Sequence, residues 1–329
     1  MSKSEKDLVT GGAGFLGYHL AAALVDMGRE VVIADNFVRS DADPRFDSLI
    51  GRRDVTFLEG DLCDPLFVSQ LPEVSRVFHL AALNGTQNFY DRPFEVIQHS
   101  TMPTVNLLAR YSQSGISSFY YTGTSESYAG AVSRGIAPIP TPENVPLVID
   151  DVMNPRWSYA AAKMHGEVAV ASAGTQFGFP WQIWRIHNCF GPRMGAKHVI
   201  PDFTERAARD VFELYGADQT RTFLYVRDAV QILTRLAKTR AAYGRVINIG
   251  GTDEMTMSAL ADHIMTILRK NGEVVSKPAP SGSIARRRPD TTLLTELLDG
   301  IEHTPFDQAL RSTVEDVLDD VRAGKFATK

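Results

Sequence analysis

The sequence predicts an α/β fold, a doubly wound parallel sheet followed by a smaller C-terminal α/β substrate domain. Three observations carry that expectation. Short apolar runs alternate with amphipathic stretches from the start of the chain, the pattern of consecutive βαβ units. A glycine-rich turn stands between the first run and the first amphipathic stretch. Asp35 closes the second run, 18 residues past the last glycine of that turn.

The elements follow in order. Leu8 to Thr10 reads as the end of a first strand, and Phe15 to Met27 as a helix that stops at Gly28. Glu30 to Asp35 (EVVIAD) is nearly all apolar, as expected of a strand covered on both faces. Asp43-Pro44 has the residue types of an N-cap and a first helical position. Val55 to Glu59 is a third strand, Asp64-Pro65 opens a short helix, and Arg76 to Leu80 is a fourth strand. A long helix runs from Pro93 to Gln113 and a fifth strand from Ser118 to Thr122. Gly and Pro crowd residues 135–146 into a loop. From Tyr159 the run AAAKMHGEVAVASA is strongly helical, and Trp181 to Ile186 is a further strand. The pattern then loosens, with helices expected near 200–210, 228–238, 256–270 and 305–322 and a strand at Val246 to Ile249. The expected division is a dinucleotide domain over 1–188 and a mainly substrate-binding domain over 189–329, with a soft boundary and the chain interwoven.

With 329 residues, 44% apolar and 22% charged, the chain has the composition of an ordinary globular protein with material for a large core. A net charge of -5 argues against nucleic acid as a partner, because phosphate backbones demand a clustered basic excess. Cys63 and Cys189 are too few and too isolated for a disulfide framework. The eight histidines show no H-E-x-x-H or close pairing, so no metal is expected. The polar start, Met1 to Lys6, and the absence of any run near eighteen apolar residues give neither a leader nor a membrane span, and the reading is cytoplasmic.

Thr10-Gly11-Gly12-Ala13-Gly14-Phe15-Leu16-Gly17 follows a strand and opens a helix. In a Rossmann-type unit Gly11 permits the tight turn, Gly14 lets the backbone approach a pyrophosphate, and Gly17 lets the helix pack closely on the sheet. The pyrophosphate would meet the free N–H groups of the first helical turn, at Phe15 and Leu16. A plain βα connection is the bland alternative, and Asp35 argues against it: a carboxylate there hydrogen-bonds a ribose 2′-hydroxyl. Its charge also repels a 2′-phosphate, so the expected cofactor is NAD, with Arg39 the nearby cation that would serve NADP.

Tyr159 and Lys163 lie four apart, on one face of a helix. An ammonium and a nicotinamide cation beside a phenol both favour the phenolate, which makes a general base. Such a pair can equally be a surface helix contact. Its position speaks for chemistry, because the helix follows a strand that ends in the hydroxyl-rich run Thr122 to Tyr128, and ligands bind outside the carboxyl ends of parallel strands. Thr124 would hydrogen-bond the reacting oxygen beside Tyr159.

With these motifs the chain resembles the extended short-chain dehydrogenases/reductases of the nucleotide-sugar epimerase/dehydratase group, including UDP-glucuronate decarboxylases. The resemblance runs through TGGAGFLG, DN at 35–36, GDL at 60–62, HLAA at 79–82, TSESYAG at 124–130, NPRWSYAAAK at 154–163, GPRM at 191–194, QTRTFLYVRD at 219–228 and RRRPD at 286–290. It implies NAD contacts at Asn36, at Asp61 and Leu62 near the adenine, and at Ala81 in the cleft. Thr124, Tyr159 and Lys163 would be catalytic, both Tyr159 and Lys163 also touching the cofactor. Asn188, Arg221 and Arg287 would face the diphosphate of a nucleoside-diphosphate sugar, with Asp290 near its ribose. An acidic protein needs such placed arginines to hold a diphosphate, although Arg286 to Arg288 can also be a solvated basic face.

The resemblance implies oxidation at sugar C4, with Tyr159 taking the hydroxyl proton. Glu126 bears on what happens to the ketone. Thr-Ser-Glu is similar to GDP-mannose 4,6-dehydratases and UDP-glucuronate decarboxylases, where the glutamate works on the keto intermediate; a capping carboxylate is the alternative. GPRM and QTR-x-F-x-Y-V resemble the decarboxylases, and Asn154-Pro155-Arg156 the epimerases. Lyase chemistry is therefore read ahead of 4-epimerisation, and both ahead of net C4 dehydrogenation. A non-catalytic dinucleotide sensor would have no use for intact Thr124, Tyr159 and Lys163. A hydrolase is excluded by the missing G-x-S-x-G elbow. The helices at 93–113 and 160–177 carry apolar or small-residue faces, and the resemblance implies that they form a homodimer interface.

Overall fold

The computed structural model describes residues 6–40, 42–196, 198–279 and 284–324, so the polar start at 1–5 lies outside it. Six strands alternate with helices along the first half: β1 (Lys6–Thr10), α1 (Phe15–Asp26), β2 (Glu30–Asp35), α2 (Pro44–Ile50), β3 (Val55–Glu59), α3 (Pro65–Ser69), β4 (Arg76–His79), α4 (Thr86–Asp91), α5 (Pro93–Tyr111), β5 (Ser118–Thr124), α6 (Ala129–Ser133), α7 (Trp157–Phe177) and β6 (Trp181–Ile186). A later strand, Arg245–Ile249, joins the same sheet beside β6. The seven strands are all parallel, in the order (Arg245–Ile249)-β6-β5-β4-β1-β2-β3. Strand order reverses between β1 and β4, and the crevice outside the carboxyl ends there is where such a sheet binds ligands.

Alternation along each strand sends neighbouring side chains to opposite layers. Val9 and Tyr120 pack under α1 and the helix Val226–Leu236, while Leu8 and Tyr121 pack under α5 and α7. A third core surrounds Phe190, Phe203, Ile264 and Leu310, where the helices Val199–Ala208, Met257–Leu268 and Phe306–Arg322 meet. Arg193 ties this part to the first: its Nε donates to Asp43 (2.8 Å), its NH2 group to the Ala13 carbonyl (3.2 Å), and its guanidinium lies over the Tyr18 ring.

Asp43 and Asp64 cap α2 and α3 as their sequence positions suggest, accepting from Arg45 and Phe46 and from Leu66. Two differences matter for the site. β5 continues past Thr122 to Thr124, because Gly123 and Thr124 pair with Arg185 and Ile186 of β6. The segment 84–93, which carries no helical periodicity, holds α4, entered through Gly85 at φ +108°.

Candidate active site

The glycine-rich turn is held by steric necessity. Gly11 sits at φ +69°, and a Cβ on Gly17 would lie 2.1 Å from the Gly11 carbonyl oxygen. Helix α1 therefore starts hard against the turn, with Gly14 as an N-cap that has no side-chain hydrogen bond and no acidic residue in the first turn. Its first N–H groups face the crevice, a cradle that suits a pyrophosphate. Asp35 braces this loop. One oxygen accepts from the Ala13 amide at 3.0 Å and the other from Phe37 at 2.9 Å, leaving lone pairs for a ribose hydroxyl. Burial raises its pKa and the backbone donors pull it back.

The far side of the turn is fixed by Thr10, whose hydroxyl bonds His79 Nδ1 (2.8 Å) and accepts from the Leu80 and Ala81 amides. This sets Ala81 at the crevice beside the first glycine, where a Gly11 Cβ would stand 2.8 Å from its nitrogen. Asp61 and Leu62 follow β3, on a loop pinned by Asn106, which donates to the Leu62 carbonyl at 2.9 Å.

Thr124 ends β5 and Tyr159 sits in the first turn of α7. Thr124 accepts from the Glu126 amide (3.2 Å), and the Thr124 and Asn84 side chains stand where they favour the Tyr159 phenolate. Phe89 stacks on the Tyr159 ring at 5.2 Å between centroids and 11° between planes. Burial pushes the phenol above its usual range, against the pull of those two side chains and of the Arg39 charge. The lysine does not act on it directly: Lys163 donates to the Thr122 carbonyl at 2.8 Å and lies over the Tyr121 ring. Desolvation lowers Lys163 to about 7. Arg39, the cation near Asp35 that would serve a 2′-phosphate, also lies near enough to Tyr159 for its charge to favour the phenolate.

Glu126 follows Thr124 in a short 3₁₀ turn, Ser125–Tyr128. One oxygen pairs with Arg156 at 3.1 Å and the other with Arg287. Burial raises its pKa, but Arg287 and Arg156 together hold it below the usual carboxylate range. Arg287 reaches it through a three-stranded sheet in which Arg286–Arg287 pairs in parallel with Thr220–Thr222, putting Arg287 opposite Arg221. Arg221 is lowered to about 10 by desolvation and by the Arg287 charge. Arg286, in contrast, forks onto Glu254 at the surface (2.7 and 2.8 Å). The solvated-face reading thus fits Arg286 but not Arg287.

Asn188, at φ +31°, donates to the Thr222 carbonyl at 3.0 Å, and Asp290 accepts from the Thr292 amide and hydroxyl just ahead of the following helix. Sequence reasoning does not place Asn84, Phe89 or Arg39 around Tyr159. Nothing in their spacing could reveal them, because they come from a loop, a short helix and a third, distant segment. Arg156 was within reach, since it precedes Tyr159 by three residues at the start of one helix. Asn84 Oδ1 and Arg287 Nε are buried without a hydrogen-bond partner, two polar atoms left for a ligand.

Among the described residues no helix is long and apolar enough to cross a membrane. Residues 8–250 match the model of the NAD dependent epimerase/dehydratase family. The chain is 32% identical over 322 residues to UDP-N-acetyl-alpha-D-glucosaminuronate decarboxylase of Bacillus cytotoxicus, covering 94% of this chain and 96% of that one. It is 28% identical to UDP-glucuronic acid decarboxylase 1 of Danio rerio, over 95% of this chain and 73% of the relative. In three dimensions it superposes on UDP-glucose 4-epimerase of Thermotoga maritima, solved with UDP-glucose, with a TM-score of 0.84 and 26% identity over 96% of this chain and 99% of the other.

Proposed function

The chain belongs to the NAD-dependent epimerase/dehydratase family, and from that premise we propose that it oxidises a nucleoside-diphosphate sugar at C4 and then removes a C6 carboxylate. The observation that carries the second half is the pairing of Glu126 with both Arg156 and Arg287. NAD, when bound, would accept the C4 hydride and return it to the C4 ketone once the carboxylate has left, so that turnover is redox-neutral. Gly11, Gly14, Gly17, Phe15 and Leu16 would hold its pyrophosphate; Asp35 and Asn36 would hold the adenosine ribose; Asp61, Leu62 and Ala81 would line the rest of its path. Tyr159 takes the C4 hydroxyl proton while Thr124 orients that oxygen, and Lys163, below Tyr159 on α7, reaches the nicotinamide ribose. Asn188, Arg221 and Asp290 lie on the sugar-nucleotide side.

A 4-keto sugar can lose water only if a base removes the C5 proton. Glu126 is a poor base for that step, since two guanidiniums keep it ionised and weakly basic. Decarboxylation needs no such base. The C5–C6 bond breaks, its electron pair delocalises into the C4 carbonyl, carbon dioxide leaves, and C5 takes a proton. Arg156, Arg221 and Arg287 against one Glu126 leave excess positive charge, which suits a substrate carrying a carboxylate as well as a diphosphate. Epimerisation at C4 is the second reading, favoured by the likeness to the Thermotoga maritima enzyme.

Incubation with UDP-glucuronate, UDP-N-acetylglucosaminuronate and UDP-glucose separates these readings: product mass reads loss of carbon dioxide or water, and proton NMR reads C4 epimers, which share one mass. Loss of carbon dioxide from a uronate is expected. Loss of water from UDP-glucose, or interconversion of C4 epimers with all carbons retained, would overturn the decarboxylase reading. The working form is a homodimer, formed through Phe94, Ile97 and Val105 of α5 and Val168 of α7, which are exposed on two helices packed side by side. Val168→Asp should give a monomer by light scattering.

A further inference from the structure

Metal-ligand spacing in the sequence concerns residues close along the chain, whereas the fold brings together three that are not. Asp61 and Cys63 lie on the loop after β3, and His99 lies on α5. Cys63 Sγ stands 3.4 Å from His99 Nδ1, and that nitrogen stands 4.0 Å from Asp61 Oδ1. The three ligand atoms all lie within 4.8 Å of one another. A tetrahedral ion bonded at about 2.3 Å to sulfur and about 2.0 Å to nitrogen separates those two atoms by roughly 3.5 Å. The Cys63–His99 pair is therefore already at ligand spacing. The carboxylate stands 4.0 Å from that nitrogen and within 4.8 Å of the sulfur, so it has to close by roughly 1 Å, giving up its bond to the Cys63 amide, and its side chain is 43% exposed.

The loop is pre-set for this. Asn106, seven residues along α5 and on the same face as His99, donates to the Leu62 and Cys63 carbonyls at 2.9 and 3.2 Å. The Cys63 amide donates to Asp61 Oδ1 at 2.9 Å, which holds the first and third residues of the loop as one unit. The imidazole edge is a quarter exposed, so a hydrated ion has a path in. Sulfur, imidazole nitrogen and one carboxylate oxygen form a donor set for zinc-type ions, not for calcium or magnesium. Two anionic donors also neutralise a dication.

We infer that Asp61, Cys63 and His99 bind a zinc-type divalent cation, with water in the remaining position, and that the bound cation opposes NAD binding by holding the Asp61 carboxylate. The thiol proton leaves to solvent on binding. The second part rests on the reading of Asp61 as an adenine neighbour.

The test uses Co²⁺ as a spectroscopic probe and Zn²⁺ as competitor on the full chain. One Co²⁺ should bind with a thiolate charge-transfer band, bleached by Zn²⁺. Cys63→Ser should lose the band. His99→Asn should weaken binding at least about tenfold, the scale that even outer-shell partners of a metal carry. NAD affinity measured by calorimetry should fall when Zn²⁺ saturates the natural chain and stay unchanged in Cys63→Ser. No stoichiometric Co²⁺, or a band that survives in Cys63→Ser, overturns the site. A Zn²⁺-loaded chain that binds NAD undiminished overturns the antagonism. NAD binding by the metal-free chain tests the cofactor reading separately.

Discussion

The two walls of the crevice are made in different ways. The wall assigned to the cofactor comes from the carboxyl ends of β1, β2 and β4 and the loop after β3, and its shape is steric: Gly17 is forced by a carbonyl 2.1 Å from where a Cβ would stand. The wall assigned to the sugar is assembled by charge from remote segments. Arg221 and Arg287 join the Glu126–Arg156 pair because two short strands, Thr220–Thr222 and Arg286–Arg287, run side by side. The first wall can serve any dinucleotide chemistry. The second decides which sugar is held and what becomes of its ketone.

Tyr159→Phe should separate chemistry from both walls, lowering kcat by at least about 10²-fold, the range for losing a general base, with NAD and sugar-nucleotide affinities kept. Near-normal turnover in a folded variant would move the proton transfer elsewhere. On the cofactor side, Lys163→Met should stabilise the fold while abolishing activity. Lys163 titrates near 7 in the fold against an ordinary 10.5, so between these values the unfolded chain holds the extra proton and stability climbs with pH. The burial cost is fully present below pH 7. The variant should therefore be the more stable form near about pH 6, by up to roughly 4 kcal/mol after loss of the bond to Thr122, with the gap closing toward high pH. Thermal melts across that range check the sign; an equal gap at every pH would deny the buried charge. On the sugar side, Arg287→Ala should raise the sugar-nucleotide KM about ten- to a hundredfold, the worth of a charged hydrogen bond, and leave the NAD Kd unchanged. An equal loss in NAD affinity would mean that the two walls are one unit.

The same contrast explains what was legible in the sequence. The glycine turn, Asp35, the strands Glu30–Asp35 and Val55–Glu59 and the caps at Asp43 and Asp64 are local patterns, and the fold holds them where the sequence puts them. The reach of β5 to Thr124 was hidden, because only its pairing with β6 reveals it. Glu126 could be singled out from Thr-Ser-Glu, and Arg156 stood within reach at the start of α7, but the pairing with Arg287 could not be seen, because ion pairing across 161 residues leaves no periodic trace. Phe89 was invisible for another reason: α4 is too short and too polar to announce itself, yet its Phe89 ring stacks directly on Tyr159.

The fate of C5 separates decarboxylation from epimerisation most directly. Turnover of a UDP-uronate in D₂O should give a product lacking C6, with one deuterium at C5, because the electron pair released there by carbon dioxide is captured by a solvent-derived proton. Proton NMR reads this in a single spectrum. A product that keeps C6 and carries no solvent deuterium on any carbon would contradict the account, and would make the enzyme a 4-epimerase in which Glu126 serves only to hold Arg156 and Arg287 in place.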